Sequence, residues 1–509
     1  MTFLKRYQDY IILFSLFLLS FFYATASVPL FNLDEGAFSE ATREMLRNGD
    51  LVTTYLGGEL RFDKPILIYW LQLLSVKIFG INEFSFRLPS ALSAFFWGVC
   101  LYLFTKRNFD RKKAFWSAFL FASSLQITVI GKAAVADALL NLFIASTMFC
   151  MWEYFKTRKR KYLYLLFSFM ALGTLTKGPI AVFIPFFVSF FYLLVKGRLD
   201  FWLRSVFDPK GLLLFFLIAL PWYAIEYLKE GEAFIEGFII KHNIQRFNSA
   251  FENHKGGFFY YVPVLLAGLL PFTGVILHSL LKIRKNLNDL TLFLLIWFSF
   301  VFIFFSFSQT KLPHYIIYGY TPLFIIASLA IDDFRSKKAI VFPVLSLFLL
   351  FLFLPEAASF FKDSLKGEYL KEIIENAPVY FNFFYKAKIA AAILILTLAY
   401  FLEDLKKIAV VTGFATLFVI NSAVIPAYAS LVEAPVKEAG IFIKKLAPKN
   451  AVMYGINTPS LMVYADRIVK RKYPENGDVV FTKIDKLKEF KKYEILWEKN
   501  GIVVIKKIF

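Results

Sequence analysis

Hydrophobic residues form thirteen long runs between Tyr10 and Ala429. Each run covers roughly 17–25 residues, the length of helix that crosses a hydrocarbon layer of about 30 Å. The runs fall at residues 9–29, 86–105, 114–131, 134–154, 162–177, 179–195, 211–228, 259–281, 290–308, 314–331, 339–355, 386–402 and 408–428. Strand-length alternation is lacking, and a bilayer admits only helices or closed barrels. The pattern therefore predicts an α-helical polytopic membrane protein.

The first outside loop, residues 30–85, has its own helical pattern. Asp34–Arg47 carries apolar side chains at helical spacing, and Asn48-Gly49-Asp50 ends that segment. A second half-apolar helix is predicted from Pro65, an apt first helical position, to Phe79. Two amphipathic helices along the outer membrane surface would frame a cavity there.

The composition changes after Ala429, where residues 430–509 are charged and contain no further span. Strands are predicted at Ala451–Ile456, Asp478–Thr482, Glu494–Trp497 and Ile502–Ile505, and helices at Pro435–Leu446 and Ser460–Ala465. The chain is therefore predicted to consist of a transmembrane domain, residues 1–429, and a small α/β domain, residues 430–509, outside the membrane.

The chain is 58% hydrophobic and 19% aromatic, which excludes an ordinary soluble protein. A net charge of +20 would suit a nucleic-acid partner, but basic residues concentrate in alternate loops between the runs. Examples are Lys106, Arg107, Arg111, Lys112, Lys113, Lys156, Arg158, Lys159, Arg160, Lys161, Lys282, Arg284 and Lys285. The positive-inside rule then places the amino terminus in the cytoplasm and the carboxyl terminus outside, and no nucleic-acid partner is expected.

The predicted outside loops also carry basic residues, against the topology rule. They are Arg61, Lys64, Lys132, Lys177, Lys241, Arg246, Lys255 and Lys311. Any one of them is explained by a side chain that snorkels from a helix end or lies on a solvated face. Together they favour a site for a phosphate-bearing ligand at the outer surface.

Carboxylates and histidines share these loops. Asp34 suits two roles: a cap for the helix that follows, or a group that accepts a proton from an attacking hydroxyl. Glu35 stands beside it, and Asp63 and Asp137 lie in neighbouring outside segments. Three histidines also fall on this side of the membrane, namely His242, His254 and His314. With Asp63 they suit a divalent metal such as Zn, Mg or Mn, or they are polar surface residues.

Several motifs follow one another along the predicted outer side. They are Leu33–Glu40 with Arg43–Leu46, Arg61–Pro65 with Tyr69-Trp70, Thr176–Pro179, His242–Phe247, His254-Lys255 with Tyr260-Tyr261, and Lys311–Tyr315. In order and spacing this set resembles the bacterial aminoarabinose transferases that modify lipid A. That family belongs to the GT-C superfamily of multispan glycosyltransferases that use polyprenyl-phosphate sugars.

The resemblance implies that a sugar moves from a polyprenyl phosphate, typically undecaprenyl phosphate, to lipid A or lipopolysaccharide at the periplasmic side of a bacterial inner membrane. It implies a catalytic role for Asp34 with Glu35, and metal ligation by Asp63, His242 and His314 as in some relatives. Substrate binding falls to Arg61, Lys64, Tyr69, Asp137, Lys177, Arg246, Lys311 and Tyr315, with Lys64 and Arg246 at the donor phosphate. Attack from the opposite face of the sugar predicts inversion at the anomeric carbon.

The sugar itself is left open between 4-amino-4-deoxy-L-arabinose and a relative such as galacturonic acid. Asp63 stands where the resembled family usually has Glu, and Gly36-Ala37-Phe38 departs from its usual residues. Two alternatives remain: an enzyme like the protein O-mannosyltransferases, and a transporter. A transporter places its charges near the midplane of the membrane, often on broken helices, whereas these charges lie at the outer rim.

Overall fold

The protein is described from a computed structural model, which covers residues 2–245 and 256–508. In the first half of the chain the helices are α1 (Thr2–Phe17), α2 (Asp34–Asn48), α3 (Leu67–Phe79), α4 (Glu83–Asn108), α5 (Arg111–Ser123), α6 (Leu125–Lys132), α7 (Asp137–Thr157), α8 (Arg160–Lys177), α9 (Ile180–Val195), α10 (Leu199–Val206), α11 (Pro209–Glu230) and α12 (Glu232–Phe234). A short antiparallel pair, β1 (Tyr55–Leu56) and β2 (Glu59–Leu60), lies between α2 and α3.

The second half continues with α13 (Tyr261–Gly268), α14 (Thr273–Leu281), α15 (Asp289–Phe307), α16 (Tyr320–Leu329), α17 (Lys337–Phe360), α18 (Glu368–Tyr380), α19 (Phe383–Tyr400), α20 (Leu405–Val419), α21 (Ile425–Val432), α22 (Ala434–Leu446) and α23 (Ser460–Ala465). Its strands are β3 (Ala451–Met453), β4 (Lys470–Arg471), β5 (Val479–Lys483), β6 (Tyr493–Lys499) and β7 (Ile502–Lys507). Stretches of π-helix interrupt the pattern at Leu18–Phe22, Ile235–Gln245 and Ile420–Val424.

Among the described residues, seven helices are long and apolar enough to cross a membrane, or up to nine if two bent pairs are each one span. The pair α5 and α6 bends by 69°, and the helices on either side of residues 269–272 bend by 119°. The other predicted runs also contain helix, in shorter pieces such as α9 or with more charge, as in α8. The polytopic helical fold is confirmed, while the count of thirteen spans stays a prediction.

The loop helices α2 and α3 form where the sequence predicted them, but α2 does not lie on a wet surface. Every residue from Glu35 to Met45 is buried. Its polar face packs against other polar groups: Arg43 approaches Asp466 at 3.4 Å, and Glu44 accepts the backbone N–H of Gly57 at 2.6 Å. The polar face of α2 is therefore covered by protein, because a polar helix face is also buried when its partners carry complementary charges and donors.

The carboxyl-terminal strands form one five-stranded sheet in the order β4-β3-β5-β7-β6. Strand β3 is parallel to β4 and β5, while β7 is antiparallel to β5 and β6. All four predicted strands and both predicted helices are present, and β4 is an addition of two residues. Asn500 and Gly501 adopt positive φ angles of 47° and 73° in the β6–β7 turn, the conformation that favours this residue pair in hairpins. Helix α21 crosses the predicted domain boundary and ends at Val432.

Candidate active site

One cavity of about 680 Å³ collects most of the charged residues that the sequence placed in outside loops. Its volume suits a small-molecule site, since such pockets span roughly 300–1,000 Å³. The acidic and basic residues in its lining are Asp34, Glu35, Arg61, Asp63, Lys64, Arg87, Lys132, Asp137, Lys177 and His314. Tyr315 lines it as well. Side chains far apart in the sequence therefore share one hollow, with apolar walls between them.

Asp34 is the first residue of α2 and is exposed in the cavity. The cap position falls on Leu33, which makes no side-chain capping bond, so Asp34 does not serve as the cap. Within residues 2–245 and 256–508, its carboxylate has no hydrogen bond and no ion pair. An exposed carboxylate without a partner retains its lone pairs for a ligand or for a proton.

Glu35, its neighbour, is in the opposite situation. The Arg87 guanidinium donates to both of its carboxylate oxygens, at 2.8 Å from Nε and 2.6 Å from Nη2. The backbone N–H groups of Phe31 and Ala134 donate to it at 2.9 and 2.7 Å. Burial opposes ionisation, but the charge and hydrogen bonds of Arg87 outweigh it, so the pKa of Glu35 is lowered. Glu35 is an ionised group that ties the loop to helix α4.

A second group surrounds Asp137 at the start of α7. Lys177 Nζ lies 2.6 Å from its Oδ1, the Tyr318 hydroxyl donates at 3.1 Å, and His314 Nε2 lies 3.9 Å away. The Lys177 ammonium also lies 5.8 Å from the centre of the Tyr315 ring. This cluster presents a fixed ammonium, an imidazole and aromatic faces to the cavity, a combination suited to sugar hydroxyls and to anionic oxygens.

A third group comes from the loop between β2 and α3. Arg61 Nη2 lies 3.3 Å from Asp63 Oδ2, and Lys64 Nζ donates to the Asp63 carbonyl at 2.9 Å. The Arg61 guanidinium stands 5.3 Å from the centre of the Phe38 ring. These contacts hold the cationic side chains of Arg61 and Lys64 at the cavity wall. Helix α2 supports the segment that carries them through Phe38.

Two predicted substrate-binding residues lie behind the cavity rather than in its lining. Tyr69 is fully buried and stacks on the cavity residue Phe38 with ring centres 5.3 Å apart, and burial raises its pKa to about 12. Lys311 is buried too, and its Nζ donates to the carbonyls of Ser306 at 2.6 Å and Ser308 at 2.9 Å. Both side chains shape the site indirectly, by supporting Phe38 and the segment before Leu312.

Arg246 and His254 lie outside the described residues, as does the side chain of His242. Asp63 and His314 do share the cavity. Within the part of the chain that the structure describes, no three His, Cys, Asp or Glu side chains are arranged to hold a metal ion. The described residues thus do not fit a metal by themselves, and metal binding stays a prediction.

Sequence reasoning missed Arg87 and Asn32, which both line the cavity, and left Lys132 without a role. Arg87 stands inside an apolar run, and an ionisable residue at such a position indicates a functional role. Lys132 is buried, and its Nζ donates to Asn421 Oδ1 at 2.5 Å and to the Tyr23 carbonyl at 3.4 Å. The sequence gives no comparable indication for Asn32, because asparagine is common in loops.

Comparison with known proteins decides the family. A family profile described as dolichyl-phosphate-mannose-protein mannosyltransferase matches residues 63–225. The undecaprenyl phosphate-alpha-4-amino-4-deoxy-L-arabinose arabinosyl transferase of Wigglesworthia glossinidia brevipalpis is 32% identical over 386 residues, which cover 71% of this chain and 68% of that protein. This chain belongs to that transferase family.

The family relationship extends over most of the chain. An uncharacterized protein of Aquifex aeolicus is 30% identical over 464 residues, 90% of this chain and 87% of that protein. The crystal structure of ArnT from Cupriavidus metallidurans bound to undecaprenyl phosphate matches the fold with a TM-score of 0.83 at 19% identity, and covers 98% of both chains. The predicted family is confirmed, and the protein is a multi-pass membrane glycosyltransferase of the GT-C class.

Proposed function

We propose that this enzyme transfers a sugar from undecaprenyl phosphate to lipid A or lipopolysaccharide on the periplasmic side of a bacterial inner membrane. One observation carries the proposal: Asp34, a carboxylate without a partner among the described residues, shares a cavity with Arg61, Lys64 and Lys177. The names of the relatives support the donor, and the acceptor follows from the resemblance to transferases that modify lipid A. The sugar is 4-amino-4-deoxy-L-arabinose or a related sugar such as galacturonic acid.

The proposed reaction forms one glycosidic bond, breaks one bond between sugar and phosphate, and moves one proton. A hydroxyl of the acceptor attacks the anomeric carbon, and Asp34 takes the proton of that hydroxyl. The bond between the anomeric carbon and the phosphate oxygen breaks, and its electron pair leaves with undecaprenyl phosphate. Because the nucleophile enters opposite the leaving group, the anomeric configuration inverts.

Lys64 and Arg61 are proposed to lie at the departing phosphate. Negative charge grows on that phosphate as the bond breaks, so a fixed cation stabilises the transition state more than the ground state. The contacts of both side chains with Asp63 limit their motion, which reduces the reorganisation needed during the reaction. Lys177 and His314 are proposed to orient the sugar from the Asp137 side of the cavity.

The periplasmic orientation rests on the charge of the loops. Basic residues cluster in the loops on the side opposite the cavity, for example Lys156–Lys161 between α7 and α8. The positive-inside rule assigns such loops to the cytoplasm. The cavity then opens to the leaflet in which a polyprenyl-phosphate sugar would meet lipid A.

Reconstituted protein, supplied with an undecaprenyl-phosphate-linked sugar and lipid A, tests the proposal by mass spectrometry of the lipid product. We expect Asp34→Asn to lower the transfer rate about 10²–10⁴-fold, the range for loss of a general base, and Lys64→Ala to cause a comparable loss. Lys77→Ala is the matched control, since Lys77 is an exposed lysine on α3 that does not line the cavity. Transfer at the wild-type rate by both cavity variants would refute the proposed roles.

A polypeptide acceptor is the second candidate, favoured by the mannosyltransferase profile over residues 63–225. The same assay with a serine- and threonine-rich peptide in place of lipid A separates the two. Glycosylated peptide with unmodified lipid A would assign the enzyme to protein modification.

A further inference from the structure

The carboxyl-terminal unit, residues 433–508, contributes directly to the cavity wall. Asn457 and Pro459 line the cavity together with Asn32 and Asp34. The unit's contacts with the residues on either side of Asp34 are specific, and they come from the start of α22 and from α23.

Asn32 forms the first contact, two residues before Asp34. Its side-chain Nδ2 donates to Glu433 Oε2 at 2.8 Å, and its Oδ1 accepts the backbone N–H of Ser460 at 3.1 Å. Both ends of one amide are thus used to bridge the start of the unit and the start of α23. Glu433 and Ser460 are 5% and 1% exposed, so water competes little for these bonds.

Gly36 forms the second contact, two residues after Asp34. A Cβ at this position would lie 2.6 Å from the backbone nitrogen of Ser460 and 2.9 Å from Asn32 Oδ1. Two backbones therefore touch here, and the nearest obstacle is main chain rather than a flexible side-chain end. The contact gives a physical reason for glycine at a position where the sequence departs from the family that it resembles.

Leu30, at the start of the loop that carries Asp34, forms the third contact. Leu30 N–H donates to the Tyr464 hydroxyl at 2.8 Å, and that hydroxyl donates to Glu83 Oε1 at 3.0 Å. Lys437 Nζ reaches the same Glu83 oxygen at 2.5 Å. The loop before and after Asp34 is thereby held by the carboxyl-terminal unit on one side and, through Glu35 and Arg87, by helix α4 on the other.

We propose that the carboxyl-terminal unit completes the active site by positioning Asp34 for proton transfer, with Asn32 and Gly36 as the positioning residues. The inference rests on the proposed function, in which Asp34 accepts the proton. Asp34 has no partner of its own among the described residues, so its location depends on the backbone that carries it. Misplacement of a reacting group by about 1 Å can cost roughly 10²-fold in rate.

A reciprocal pair of substitutions tests the bridge. Asn32→Asp sets a second carboxylate against Glu433, whereas Asn32→Asp with Glu433→Gln restores a hydrogen bond with donor and acceptor exchanged and with the net charge unchanged. We expect Asn32→Asp to lower kcat for sugar transfer at least tenfold, with the KM for the donor changed less than twofold. The double variant should recover most of that loss. The proposal would be overturned if kcat is unchanged in Asn32→Asp. It would also be overturned if kcat falls in Asn32→Asp and the added Glu433→Gln does not restore it.

Gly36→Ala gives an independent test through sterics alone. Gly257→Ala is its matched control, because a Cβ there meets no atom of the described residues within 4 Å. We expect Gly36→Ala to lower kcat while binding of undecaprenyl phosphate stays within twofold of wild type, and Gly257→Ala to leave both unchanged. Equal kcat in the two variants would contradict the positioning role. Wild-type enzyme without any transfer activity would refute the proposed function instead, so the two failures are distinguishable.

Discussion

Asp34 and Glu35 are adjacent carboxylates in one cavity, yet the structure predicts that their removal has different consequences. Glu35→Gln should destabilise the protein, whereas Asp34→Asn should leave it folded and remove sugar transfer. The reason is the contrast in their surroundings. Glu35 accepts four hydrogen bonds and pairs with the buried Arg87, while Asp34 has no such bond among the described residues.

The magnitude follows from the Arg87 pair, whose side chains are 4% and 5% exposed. Removing one partner of a buried ion pair costs about 3–5 kcal/mol, because the remaining charge stays buried. In Glu35→Gln, the NH₂ group of the new amide would also face N–H donors that contact a carboxylate oxygen in the wild type. For Asp34→Asn, an exposed position without a partner, the expected change is within about 0.5 kcal/mol.

Thermal unfolding of the purified variants in one detergent measures this difference. We expect Glu35→Gln to melt several degrees below wild type and Asp34→Asn to melt with it. Arg87→Met alone should also destabilise, and the double variant Glu35→Gln with Arg87→Met should lose less than the sum of the two singles, since the pair is coupled. Equal melting temperatures for Asp34→Asn and Glu35→Gln would refute the division of roles between the two acids.

Three further predictions concern other parts of the cavity. Lys177→Met should lower both stability and transfer, because it leaves Asp137 buried without its ammonium partner; a double variant with Asp137→Asn that loses as much as the sum of the single losses would contradict the pairing. Burial raises the pKa of Glu433 to about 7 from 4.5, so the folded protein holds this proton more tightly than the unfolded chain. The contribution of Glu433 to the free energy of unfolding is complete below about pH 4.5 and falls by about 3 kcal/mol as the pH rises through 7. Glu433→Gln should therefore reduce the pH dependence of the melting temperature in this range. An unchanged pH dependence would contradict the raised pKa of Glu433. Exhaustive chelation tests metal binding at Asp63 and His314: activity lost and then restored by Zn²⁺, Mg²⁺ or Mn²⁺ supports it, while full activity without bound metal ends it.

Much of the helical fold could be predicted because long apolar runs have few alternatives in a membrane. The carboxyl-terminal strands were predictable for a similar reason, since short β-rich segments alternate there with turn residues such as Asn500-Gly501. The sequence did not predict that Asp34, Lys64 and Lys177 line one cavity. It predicted only that the three residues lie on the same side of the membrane, because the order of the loops along the chain fixes that side.

Other features depend on contacts that a single sequence does not encode locally. The bends of 69° and 119° within apolar runs leave hydropathy unchanged, so a hydrophobic pattern cannot reveal them. The polar face of α2 is buried, but its sequence is indistinguishable from that of a helix face exposed to solvent. The different environments of Asp34 and Glu35 arise from Arg87 and Ala134, which lie at least fifty residues away.

The most direct test of the donor site is a structure of the purified enzyme with undecaprenyl phosphate. The proposed mechanism predicts that the phosphate lies in the 680 Å³ cavity, within hydrogen-bond distance of Lys64 and on the same side of the hollow as Arg61. The space between that phosphate and the Asp34 carboxylate should be wide enough for one sugar ring. A phosphate bound outside this cavity, or separated from Lys64 by the protein wall, would contradict the mechanism.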